Sequence, residues 1–438
     1  MRRRDLILAA MAPAPDLRLK ELAAVHTTIA ERDQRNQVWG RIGGSPTEHA
    51  SAAALREQLS RILPQVKLEE FAFQAHRATD WTVRADGTTL GTAMPAPFEA
   101  RFPEGERTAK LAPVAPEGDW SRTKDRWAFV QSDATTSTAF NIVREKLLYQ
   151  KAVAAGASGL LFALPTPASS RWKSVVPVDK PYAVKDERYA GGMRPIPCFS
   201  MDRLDGALAA KAGNISTSIR YAAQDRHKGR NVIGFLPGAT EEAAAIMCHI
   251  DSFFTGAIDN ASGMAAMVGI AESLARLPRK ARRCGFYFLG LSAHHDEAAG
   301  MRDWVARDAR RFARIRQLFL LEHVDAIDSE EGRTAGWAMP LNNQRVAYVG
   351  SEGWPEVRAL LPALVRKSGV MTADPKIQNA CIADLFVTCG QVKSFCLMNA
   401  PPYYHTDHDT IDRISEAGIR NAVTFHTMLL SQLGLTKT

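Results

Sequence analysis

Apolar and polar positions fall into two regimes along the chain. From Arg230 onward, short uninterrupted apolar runs alternate with longer stretches of helical spacing. The runs are Ala244–Ile246, Cys284–Leu289, Leu318–Leu321 and Ser394–Met398. Runs this short and this apolar read as strands buried on both faces, and strands alternating with helices read as a wound α/β sheet.

The first half reads differently. Leu17, Leu19, Leu22 and Val25 begin a helical pattern, and Ala53, Leu55, Leu59 and Ile62 resume it after the Gly43-Gly44-Ser45-Pro46 break. Val66–Phe73 reads as a strand. Thr79–Arg122 is rich in Pro, Gly and Thr around short apolar runs, which predicts β structure. Trp127–Val130, Gly159–Phe162 and Ile196–Met201 read as strands, while Phe140–Ala155, stopped by Gly156, and Leu204–Ala210 read as helices. The expected architecture is therefore α/β: a mixed central sheet flanked by helices, with an inserted β-rich module. The boundaries expected are 17–77 for the first part of the α/β domain, 78–226 for the insertion and 227–438 for the remainder. No internal repeat or low-complexity segment is visible.

The polar positions give this pattern its chemistry. Each of the four late apolar runs is followed by imidazole or carboxylate. The first leads to His249-Ile250-Asp251 and Asp259, and the second to His294-His295-Asp296-Glu297. The third leads to Glu322-His323, and the fourth to Tyr404-His405-Thr406-Asp407. In a parallel sheet these positions share the carboxyl edge, where open α/β sheets bind ligands. Imidazole with carboxylate suits zinc.

Bulk properties narrow the alternatives. The chain has 438 residues, 46% hydrophobic and 23% charged, which suits a globular protein with a large core. Its net charge of +8 is scattered; the densest groups are Arg2-Arg3-Arg4 and Arg279–Arg283. No basic stripe alternates with aromatics, so a nucleic-acid partner is not expected. None of the six cysteines forms a CxxC pair, so a structural zinc site of that spacing is not expected. Cys248 and Cys284 read as buried thiols, and pairing among Cys381, Cys389 and Cys396 stays open. No run of eighteen apolar residues exists, so no membrane-spanning helix is expected. Arg3-Arg4-Asp5-Leu6-Ile7 followed by Leu8–Ala14 resembles a twin-arginine export signal. A basic leader to a helix fits the same residues, so periplasmic export and a cytoplasmic location both stay open. Ser292 near His294 lacks a Gly-x-Ser-x-Gly elbow, and Gly43–Pro46 lacks the Lys-Ser/Thr of a phosphate loop.

Several segments together resemble the co-catalytic zinc aminopeptidases, a family whose relatives include glutamate carboxypeptidases, the transferrin receptor ectodomain and glutaminyl cyclases. The matching pieces are Asn231-Val232-Ile233-Gly234, His249-Ile250-Asp251, Asp259-Asn260-Ala261-Ser262-Gly263 and Tyr404-His405-Thr406-Asp407-His408-Asp409-Thr410. The resemblance covers roughly 230–430, and 17–73 more weakly. Residues 127–210, with Lys151–Gly159, resemble the protease-associated domain that often interrupts such peptidases. The resemblance implies one or two zinc ions. His249 and Glu322 would be ligands of one ion, Asp259 the bridging carboxylate and His405 a ligand of the other. Asp251 would orient the His249 imidazole, and Tyr404 would hydrogen-bond substrate or an oxyanion. Gly263 would let a helix approach the sheet closely.

One departure stands out. The family places a pair of glutamates, base and ligand, after the second strand. Counting back from Gly300 puts His294 at the base position and His295 at the ligand position. An imidazole in place of a carboxylate removes a negative charge from the cage, so two divalent ions would be less well offset. Histidine can act as a general base; Asp296 or Glu297 would serve with a different loop, and His323 or Asp325 are substitute ligands in a shifted register. The expectation is a zinc-dependent hydrolase of amide or peptide bonds acting on a peptide or small amide. The alternatives are a non-hydrolytic binding domain and a single-zinc cyclase or transferase. Substrate identity and oligomeric state are not legible.

Overall fold

A computed structural model describes residues 13–35, 37–96, 101–132, 142–167, 170–178, 195–326, 347–352, 354, 356–370, 376–378, 383–399 and 403–437. Residues 1–12 of the export-like leader and Cys381 lie outside the described residues. The chain opens with two helices, α1 (Leu19–Ala30) and α2 (Pro46–Ser60). Helix α2 starts where its sequence dictates: Ser45 Oγ accepts the Glu48 amide at 3.1 Å, and Pro46 occupies the first helical position.

The main sheet has eight strands. They are β1 (Gln65–Gln74), β2 (Arg226–Leu236), β3 (Ala243–His249), β4 (Gly285–Leu291), β5 (Ile315–Glu322), β6 (Ala347–Glu352), β7 (Lys376–Gln378) and β8 (Lys393–Asn399). Their spatial order is β1-β2-β4-β3-β5-β8-β6-β7. The central four, β4-β3-β5-β8, are mutually parallel and hold the four late apolar runs. Strand β2 is antiparallel to β1 and β4, and β6 is antiparallel to β8, so the sheet is mixed as expected. Every residue of β3 is buried, which explains its unbroken apolar character. Helix α3 (Ser262–Ala275) follows β3 and is almost wholly buried. On the same face lie α5 (Glu356–Ser368) and α6 (Glu416–Gln432), whereas Met301 and Trp304 of α4 (Ala299–Arg307) pack on the other face against Leu289, Leu318 and Leu320. Leu19, Met264, Ile270, Val423 and Phe425 join one core with β3 and β5.

A second eight-stranded sheet is built between Ala78 and Tyr221. Strands Gly105–Pro113, Trp127–Gln131, Gly159–Ala163 and Cys198–Met201 run parallel within it. Its core centres on Trp127, Phe162 and Phe199, and Phe253, Phe254 and Tyr404 of the main unit belong to the same cluster. A bridge pairs Ser174 with Thr406. The second sheet thus packs against the carboxyl edge of the first. Among the described residues, no helix is long and apolar enough to cross a membrane. Cys198, Cys248, Cys284 and Cys396 are buried free thiols, and Cys389 is disulfide-bonded.

Candidate metal centre

Parallel strands deliver their carboxyl ends to one place. His249 closes β3 and Glu322 closes β5. His294 and His295 follow β4, and His405 follows β8. All four imidazoles and Glu322 lie within one buried cluster with Asp251 and Asp259, each at most 6% exposed. Neighbours on a strand point to opposite faces, so both His294 and His295 reach the cluster only because residues 292–298 form turns. Ala293, Glu297 and Ala298 there adopt positive φ.

Asp259 is the hub. Its Oδ1 lies 2.9 Å from His249 Nε2 and 3.1 Å from His323 Nε2. Its Oδ2 lies 3.3 Å from His405 Nε2 and 3.7 Å from His295 Nε2. Glu322 Oε1 stands 3.5 Å from His249 Nε2 and 3.7 Å from His323 Nε2. Two sets of donors therefore share one carboxylate: His249, Glu322 and His323 on one side, His295 and His405 on the other. The Asp259–Asn260 peptide is cis. Asp409 accepts the Ile258 amide at 2.7 Å and the Asp259 amide at 3.0 Å, fixing the segment that presents the hub.

The donor set fits zinc. His249 Nε2, Asp259 Oδ2 and Glu322 Oε2 are buried and make no hydrogen bond among the described residues. Burying polar atoms without a hydrogen bond costs about 1–3 kcal/mol each, and a divalent cation among them removes that cost. Burial alone would lower the His249 imidazole, yet the adjoining Glu322 and Asp259 carboxylates drive it well above its ordinary value. Burial likewise works to raise Asp259, but His323 and His249 hold it well below.

Support around the ligands comes from unlike sources. His249 Nδ1 bonds the Asp251 carbonyl oxygen at 2.8 Å, and His405 Nδ1 bonds the Val175 carbonyl at 3.2 Å. The Asp251 carboxylate serves His295 rather than His249. It lies 2.7 Å from His295 Nδ1, accepts the His294 and His295 amides at 2.9 and 3.0 Å, and is 3.9 Å from His249 Nδ1. Asp251 thus orients the His249 ring through its carbonyl, while the turn after β4 folds back onto Asp251 and the two amides claim its carboxylate. Arg41, wholly buried, donates to the carbonyls of Ile250, Thr255 and Gly256 and braces the loop between His249 and Asp259.

His294 sits at the edge of the first set. Its ring stacks on His249 at 4.2 Å, its Nε2 is 3.8 Å from Glu322 Oε1, and its Nδ1 is 3.1 Å from Asp384 Oδ2. Burial, with His249 beside it, lowers His294 to about 3, and burial raises Asp384 to about 7. The pair therefore favours neutral imidazole. Asp296 is not available as a base, because Arg77 holds both its oxygens at 2.7 Å. Asp325 is occupied elsewhere, accepting from Ser415 at the start of α6. Tyr404 stacks on His405 at 3.7 Å and walls the site beside His323.

Asp384, Arg41, Phe253 and the Val175 carbonyl were not singled out from sequence. Asp384 and Arg41 belong to no patterned segment, and a backbone carbonyl carries no sequence signal. The Asp409 position was visible only as part of the Tyr404–Thr410 run.

Residues 231–429 match the model of peptidase family M28. The fold is similar to a zinc aminopeptidase from Bacillus subtilis, at 18% identity and TM-score 0.67 over 96% of each chain. It is similar to a peptidase M28 precursor from Shewanella amazonensis, at 16% identity and TM-score 0.72 over 98% of this chain and 95% of that one. It is also similar to an aminopeptidase from Aneurinibacillus sp. strain AM-1, at 19% identity and TM-score 0.58 over 95% of each chain. No curated protein matches the chain by sequence.

Proposed function

We propose, from the match of residues 231–429 to peptidase family M28, that the chain is a zinc-dependent hydrolase that removes residues from the amino end of peptides or cleaves small amides. The observation that carries this reading is the pair of donor sets on the two oxygens of Asp259. Bound zinc supplies Lewis acidity and a water acidic enough to ionise near neutral pH.

The chain's own residues do the rest. His249 and Glu322, with Asp259, hold the first ion; His295 and His405, with Asp259, hold the second. His294 takes the place of a glutamate base. Asp384 accepts the Nδ1 proton of the neutral ring, which leaves Nε2 as the proton acceptor on the side facing Glu322. The proton taken at Nε2 is returned to the leaving amine. A cavity of about 460 Å³ adjoins the cluster, with Trp39, Ile42, Met94 and Pro95 among its walls. Val175 and Phe253 also line it. Phe253 packs 4.6 Å from the His295 ring and 4.9 Å from the His405 ring. These walls suit an apolar side chain next to the scissile bond. The unit at 78–226 acts in this reading as a protease-associated-like module that closes one side of the cleft.

The test is turnover of aminoacyl amides and free-amine peptides before and after chelation. Activity that disappears with chelator and returns with zinc supports the proposal. A folded, zinc-loaded protein that turns over none of these substrates favours a binding domain instead.

A further inference from the structure

Glu322 and His323 are adjacent at the end of β5, and a regular strand would aim them to opposite faces. They converge because His323 takes the left-handed conformation, φ 45°, which a non-glycine residue adopts only at a cost of order 1–3 kcal/mol. The result is a fourth donor. His323 Nε2 lies 3.1 Å from the same Asp259 oxygen that His249 approaches at 2.9 Å. Both imidazoles also flank Glu322 Oε1, at 3.5 and 3.7 Å. Four ligand atoms about 2.0–2.1 Å from a tetrahedral zinc are about 3.3–3.4 Å apart, and the four measured separations bracket that value. The opposite set offers three donors: Asp259 Oδ2, His295 and His405.

Resting on the hydrolase reading above, we propose that His323 is a protein ligand of the first ion, closing that position with four protein donors and leaving the exchangeable metal and the open coordination place to the second. Charge points the same way. Two carboxylates and two neutral imidazoles balance a divalent cation at the first position. The second position shares Asp259 and adds only imidazoles, so its ion is held less tightly. Four protein ligands are the pattern of retained zinc, three plus an open place the pattern of catalytic zinc.

The rival explanation is that His323 merely hydrogen-bonds Asp259. His323→Gln preserves an amide donor but is a poor zinc ligand, whereas His323→Cys is a good one. Purified full-length proteins are dialysed against a chelator, and retained zinc is measured with folding checked by circular dichroism. The wild type and His323→Cys should each retain about one zinc per chain. His323→Gln should retain a small fraction of that, with affinity at the first position lowered at least about a hundredfold. His405→Ala should keep the retained equivalent and lose the exchangeable one. Equal retention by the wild type, His323→Gln and His323→Cys overturns the role of His323 while leaving the hydrolase reading intact. A wild type that retains no zinc and hydrolyses amides without it overturns both.

Discussion

His294 and Asp384 show how one residue exchange redistributes chemistry. The ring stacks on His249 and is held at Nδ1 by a carboxylate nine tens of residues away in sequence, so its tautomer is set by a contact no local pattern reveals. Asp384→Asn keeps the volume but cannot accept the Nδ1 proton in the same way. Turnover should fall about a hundredfold or more with zinc content unchanged, measured by steady-state kinetics beside metal analysis; unaltered kinetics would remove Asp384 from the proton path. A second residue governs stability. Burial, with Asp251 nearby, pushes the Glu48 carboxyl up to about 8. Its folded-state value lies above the unfolded one, so the folded state binds the extra proton and stability declines as pH rises from about 4.5 through 8. Glu48→Gln should therefore gain on the wild type by a few kcal/mol between pH 4 and pH 9. Denaturant unfolding at both pH values checks this, and a pH-independent difference would contradict it.

Among the elements, the four parallel strands were legible because strands buried on both faces must be apolar throughout, and their carboxyl ends must then meet. The turn after β4 was legible in outline, since His294 and His295 could share a site only off a regular strand. What spacing could not show was the turn's fold-back, which gives the Asp251 carboxylate to His295 and ties Asp296 to Arg77. The junction of Asp259 with α3 is equally constrained. A Cβ on Gly263 would fall 2.2 Å from Asn260 Oδ1 and 2.7 Å from the Leu321 carbonyl, neither of which is free to retreat. Asn260 donates to that same carbonyl at 2.9 Å. Gly263→Ala should cost about 1–3 kcal/mol of stability and reduce retained zinc by displacing the Asp259 segment; calorimetric melting with metal analysis tests both.

At the scale of the whole molecule, the site is shared between two sheets. The main sheet supplies the donors, and the segment at 170–178 supplies the carbonyl that orients His405. Trp172 reinforces the junction, stacking on His408 at 4.1 Å and on Tyr403 at 5.7 Å. The β character of the Thr79–Arg122 region was readable from composition, but the packing of the second sheet against Phe253 and Tyr404 was not, because contacts between separately patterned regions leave no periodic trace. The shared cavity makes specificity a property of both parts. Ile42→Trp should lower kcat/KM about tenfold or more for substrates with large apolar side chains and spare those with alanine, since filling one wall removes roughly the burial energy of a side chain. An equal loss on both substrate types would place the side-chain pocket elsewhere.

The central claim is that Asp259 joins two metal positions formed by the ends of parallel strands. Anomalous diffraction from crystals of the zinc-loaded protein, recorded at the zinc edge, measures this directly. The account predicts a strong peak among His249, Asp259, Glu322 and His323, and a weaker one among Asp259, His295 and His405. Anomalous density away from Asp259, or none in crystals of an active enzyme, would contradict it.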